Sequence, residues 1–131
     1  MTEQDEKELS RVAHLDIDWE LTPEDAVLLH MEQDESHGHL FLPAVGRPED
    51  SSRYFVVDTC YDPPVIRLQE RSRVVLNALL TFPVPEALRP AVRARLGADR
   101  GTFAPPPEVL AWLRQAMDRL SRGRRAEEKA S

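Results

Sequence analysis

The side chains able to do chemistry lie mostly in the first half of the chain. His37-Gly38-His39 stands beside Asp34 and Glu35, with His30 on the helix expected just before them. Imidazole and carboxylate together are what a divalent transition metal takes from such a stretch, and on a strand His37 and His39 would point the same way. A closed zinc site wants four ligands, however, and the other soft donor, Cys60, is distant in sequence. Histidine and glycine among acids more commonly form a solvated turn. His30, His37 and His39 are therefore the candidate metal ligands, set against that ordinary outcome, and no cofactor is expected.

His30 also has Asp34 one helical turn later, a pairing that orients an imidazole for general-base work. No nucleophile stands near it to be served. With Ala26 and Val27 beside it, His30 fits a histidine at the edge of a core, and His14 with Asp16 and Asp18 is read the same way. Cys60 would be reactive if a basic group lowered its pKa, but its neighbours Asp58 and Asp62 do the opposite, so an inert, partly buried thiol is expected. Asp16, Asp18, Glu20, Glu24 and Asp25 lack the loop spacing and glycine of a calcium hand and read as a solvated acidic face. There is no glycine-rich phosphate loop, nucleophile elbow or paired cysteine motif. Arg119, Arg122, Arg124 and Arg125 form a basic cluster without interleaved aromatics, which a helix C-terminus explains through its dipole. No catalytic residue is assigned.

The elements that must hold these residues follow from composition and pattern. A chain of 131 residues with 41% hydrophobic content suits one core, with a radius of gyration of about 14 Å. Eleven prolines cut it into short elements. The acidic start, Met1 to Glu8, has neither the basic residues nor the apolar run of an export signal, and the longest apolar stretch, Val74 to Val84, is interrupted by Asn77 and Thr81. A cytoplasmic protein with no membrane span is expected. A single cysteine suits a reducing compartment. The net charge of −6 argues against general nucleic-acid binding, and it conceals an asymmetry: residues 1 to 64 hold 4 basic and 16 acidic side chains, whereas 65 to 131 hold 13 and 7. The two halves should attract.

Residues 3 to 13 predict at most a short, frayed helix with little to bury. Thr22-Pro23-Glu24-Asp25 is a strong helix start, with Thr22 as N-cap, Pro23 in the first position and Asp25 placed to complete a capping box, leading into a helix to about Gln33. His39 to Leu42 suggests a short strand and Gly46 to Ser52 a loop. Tyr54-Phe55-Val56-Val57 is a strand signature, Tyr61-Asp62-Pro63-Pro64 a turn, and Val65 to Gln69 a second strand burying Ile66 and Leu68. A period of two puts Val74, Leu76, Ala78, Leu80 and Phe82 on one face, and a third strand is expected over Ala78 to Pro83, with Arg71 to Asn77 as its connection. A turn after Pro85 precedes a helix to Leu96, closed by Gly97. Val109, Trp112, Leu113, Ala116, Met117 and Leu120 mark the best helix, ending before Gly123, with Trp112 expected at the centre of the core against Phe55, Val57, Ile66 and Leu68.

Asp18 to Val27, Tyr54 to Thr59, and Pro63-Pro64-Val65 resemble a small family of uncharacterised conserved proteins of sulfate-reducing bacteria. The resemblance implies a bacterial accessory protein and carries over no activity and no catalytic residue.

The expected fold is α+β, a small antiparallel sheet of three to four strands with helices packed on one face. Residues 1–15 are expected to be a frayed acidic segment, 16–120 a single domain, and 121–131 a disordered charged tail. The expected function is a non-enzymatic accessory or regulatory protein-interaction module, working with a protein partner or as a homodimer. The competing class is a metal- or histidine-dependent enzyme using His30, His37 and His39.

Overall fold

A computed structural model describes residues 2–25, 52–71 and 76–130, with side chains as far as 123. Among the described residues four antiparallel strands form one sheet: β1 (Ser52–Asp58), β2 (Val65–Arg71), β3 (Leu76–Pro83) and the two-residue β4 (Thr102–Phe103), in the order β3-β2-β1-β4. The helices that lie wholly within the described residues are α1 (Glu3–Val12), α2 (Arg89–Leu96), which a 3₁₀ turn at Glu86–Leu88 precedes, and α3 (Pro107–Ala130). This is the α+β architecture expected from the sequence. The first part of the chain's best start signal is in place too: residues 23–25 are helical, and the Asp25 amide donates to Thr22 Oγ1 at 3.1 Å. The rest of that helix and the strand expected at His39 to Leu42 lie outside the described residues.

Alternation assigns the two sheet faces. Phe55 and Val57 on β1, Ile66 and Leu68 on β2, and Leu80 and Phe82 on β3 point to the helices, where Val92 of α2 and Val109, Leu113, Ala116 and Met117 of α3 close the core. Tyr54 and Val56 point to the opposite face, are equally buried, and pack with Leu21. Burial raises the Tyr54 hydroxyl above its ordinary pKa, although Arg71 beside it pulls the other way.

Four expectations are corrected. Helix α1 is a core element: a complete capping box joins Thr2 and Asp5, and Leu9 is wholly buried in the cluster shared with α3. Val12 and Ala13 pack against the same cluster beside it. Trp112 is only partly buried and meets Phe82 at 6.3 Å between ring centres, while Leu113 and Val109 occupy the fully buried line of α3. Helix α3 also continues through Gly123 to Ala130. Gly123 lacks the positive φ that Gly97 and Gly101 adopt, so it does not cap the helix, and Arg122 pairs with Asp118 across one turn. Finally, β3 begins at Leu76 rather than Ala78, and its phase changes within the strand. Leu80 faces Leu68 while Ala78 faces Gln69, so Leu79 is an extra residue with no partner on β2. This β-bulge turns Leu76 and Ala78 away from the face that Leu80 and Phe82 occupy.

Candidate interaction surface

Two regions of the described surface have the character of a site: a cleft at one end of the sheet and the outer edge of β3. The cleft, of 320 Å³, lies between the β1–β2 turn and the segment linking α2 to β4, with Cys60, Tyr61, Asp62, Arg93, Asp99 and Arg100 at its walls. Thr59 fastens the two segments: its amide donates to Gly101 O at 2.8 Å, and its Oγ1 accepts from the Gly101 amide at 3.1 Å. Gly101 has φ of 144°, which a β-carbon disfavours, so glycine fits this crossing.

Cys60 is exposed in this cleft, not partly buried as the sequence suggested. Its thiol is pushed up from the ordinary value, first by desolvation and then by hydrogen bonding and charge from Asp58, with Arg100 opposing. Asp58 is held in place by Arg67 at 3.2 Å and accepts the Cys60 amide at 2.9 Å. At pH 7 the thiolate fraction is accordingly below that of a free cysteine, and this wall offers a poor nucleophile. Alkylation of the native protein by iodoacetamide is expected to be slower than that of the denatured chain at pH 7. Its rate should climb only at a pH above the ordinary thiol range, and Asp58→Asn should accelerate it. A native rate equal to or above the denatured one would remove the assigned role of Asp58.

The remaining candidates from the sequence are dispersed. His30, His37 and His39 lie outside the described residues, while His14 is exposed. Among the described residues no group of three or more His, Cys, Asp or Glu side chains is placed to hold a metal. Asp18 is structural: its amide donates to Arg53 O at 2.8 Å and its Oδ2 accepts the Arg53 amide at 3.2 Å, which closes the side of β1 that β2 leaves free. Next to it Trp19 stacks on Phe55 at 5.6 Å and carries the Arg114 guanidinium over its ring at 5.2 Å. Of the basic cluster, Arg119 reaches Glu6 of α1 at 3.3 Å. The attraction between acidic and basic halves is thus realised as an exposed contact between α1 and α3 and as the Arg67–Asp58 pair between β2 and β1.

The second region was not legible as a site. β3 is the outermost strand, and among the described residues no strand pairs with its free side. Leu76, Asn77, Ala78 and Leu79 are exposed in succession, with Leu76 at 52% and Leu79 at 38% of full exposure. No residue of β3 is charged. A free edge presents a row of unpaired backbone donors and acceptors, which proteins commonly blunt with lysine, proline or very short strands. Here the bulge and the terminal Pro83 are the blunting features on the strand itself.

Compared with family models, curated proteins and solved structures, the chain has no significant match. Among the described residues no helix is long and apolar enough to cross a membrane.

Proposed function

We propose that the protein is a non-enzymatic, cytoplasmic accessory module that docks another polypeptide along the outer edge of its sheet. The observation that carries this reading is the exposed, uncharged run from Leu76 to Leu79 on the outermost strand. Strand addition at such an edge supplies main-chain hydrogen bonds for affinity, and the side chains on either face supply selectivity. The edge is held in place, because β2 pairs with β3 on both sides of the bulge at Leu79 and the Val84 amide extends the pairing to Pro64 O at 2.8 Å. An accessory role also accords with the family that the segments around Asp18 and Tyr54 resemble.

The test is photocrosslinking in cells from a benzophenone side chain placed at Leu76, compared with one at Gln115 on the exposed side of α3. A discrete protein adduct is expected from position 76 and none from 115. Failure to crosslink at 76, or the same adduct from both positions, would remove the edge as a docking site.

A further inference from the structure

We propose that the cleft between the β1–β2 turn and the segment linking α2 to β4 binds a small apolar zwitterion, an α-amino acid with an aliphatic side chain. The proposal stands independently of edge docking, since no residue of β3 lines the cleft. Four charged side chains line it and they balance: Arg93 from α2 and Arg100 from the linking segment, against Asp62 from the turn and Asp99 next to Arg100. All four are exposed, and among the described residues none of them forms a salt bridge, so a ligand meets them without displacing a partner. Asp58, which also approaches this wall, is already held by Arg67 at 3.2 Å. A ligand with only negative charge would meet two carboxylates and the negative end of the α2 dipole at Gly97, and one with only positive charge would meet two guanidinium groups. A molecule with one charge of each sign satisfies both sets.

The uncharged lining sets the rest of the ligand. Pro64, Val92 and Leu96 give the cleft an apolar part, which takes an aliphatic group. Its volume of 320 Å³ lies at the low end of the roughly 300–1,000 Å³ common for ligand pockets, so the ligand is small. The α-carboxylate is assigned to Arg93 and Arg100, because a guanidinium fork matches carboxylate geometry, and the ammonium to Asp62 and Asp99. The walls are already in position. Thr59 ties the turn to Gly101, the Val84 amide donates to Pro64 O at 2.8 Å, and Arg89 Nε donates to Val84 O at 3.0 Å, so the turn and α2 are both anchored to the end of β3. Binding therefore does not have to order them.

Titration of the whole chain with L-leucine, followed by calorimetry, is expected to show one saturable site with a Kd on the order of 1 mM or tighter. Bound leucine should also slow alkylation of Cys60, which stands in the cleft wall. N-acetyl-leucine keeps only the negative charge, leucinamide only the positive one, and glycine lacks the aliphatic group. Each should bind about tenfold more weakly than leucine. Two variants give a crossed signature. Asp99→Asn should weaken leucine about tenfold and strengthen N-acetyl-leucine, whereas Arg100→Gln should weaken leucine about tenfold and strengthen leucinamide, with circular dichroism unchanged in both. A merely structural effect would move all the ligands in the same direction. Absence of saturable binding up to about 20 mM leucine would overturn the proposal. N-acetyl-leucine binding as tightly as leucine would overturn it in favour of a site for peptide carboxy termini, and leucinamide binding as tightly would overturn it in favour of a cation site. These comparisons use the unaltered chain and do not depend on the folding of a variant. Folded variants that bind leucine and its analogues as the unaltered chain does would equally overturn the assignment.

Discussion

Replacing Leu113 by alanine is expected to lower the unfolding free energy by about 3 kcal/mol or more, within the range of roughly 2–5 kcal/mol typical of leucine truncations in well-packed cores. Leu113 is wholly buried on the line of α3 that faces the sheet, in the same cluster as Phe55, Ile66 and Leu68 and in company with Leu9 from α1 and Val92 from α2. A cavity there cannot collapse easily, because its walls belong to elements fixed by their own hydrogen bonds. Against a total of about 5–15 kcal/mol for an average domain, the loss is severe. Trp112→Ala removes more atoms but from a partly buried position at the sheet margin, where Phe82 is the aromatic neighbour. Its cost is therefore expected to be the smaller, about 1–2 kcal/mol. Urea unfolding of both variants, followed by circular dichroism, orders the two costs. A greater loss for Trp112→Ala would restore the tryptophan to the centre of the core.

The second large effect is electrostatic. Arg53 and Glu70 face each other across β1 and β2, with Arg53 Nε 2.8 Å from Glu70 Oε2 and only 10% and 15% of the two side chains exposed. Glu70→Leu leaves a guanidinium in a nearly dry position and should destabilise the protein by about 3 kcal/mol, the low end for breaking a buried pair because some solvent still reaches the arginine. Arg53→Met combined with Glu70→Leu removes both charges and retains volume. Most of the lost stability should then return, since desolvating the pair consumes much of what its attraction supplies. A double variant no more stable than Glu70→Leu alone would show that the cost came from packing and not from the stranded charge. The backbone of Arg53 is clamped by Asp18 in every variant, so β1 keeps its place while the side chains change.

These expectations show which parts of the molecule can be read from residue order. Strands β1 and β2, the turn between them, the helix ending at Gly97 and the apolar line of α3 all follow from local signals that agree with their surroundings, as does the antiparallel sheet they imply. Features decided by tertiary contact were missed. Nothing local in Glu3 to Val12 shows that Leu9 will find a groove, and nothing local in Thr102-Phe103 shows a strand, because two residues pair only where Val57 and Asp58 present an edge. The exposed half of β3 was hidden by a single inserted residue. A strict alternation through Leu76, Ala78, Leu80 and Phe82 reads as one buried face, and the bulge at Leu79 splits it into a buried half and an exposed half. Asp18 and Trp19 were likewise readable only as acidic and aromatic residues until β1 was placed beside them.

The packing of α1 against α3 also orders events in time. Leu9 is made more than a hundred residues before Leu113, yet they share one cluster, with Glu6 and Arg119 meeting at its rim. During synthesis the hairpin of β1 and β2 can pair as soon as it emerges, whereas α1 has no groove to enter until more than a hundred later residues have been added. Helix α1 is therefore an amphipathic segment in waiting while those residues are added, with its apolar stripe open to chaperones or to other nascent chains. Closing so long a loop is slow compared with local pairing, so docking of α1 should be the final step of folding.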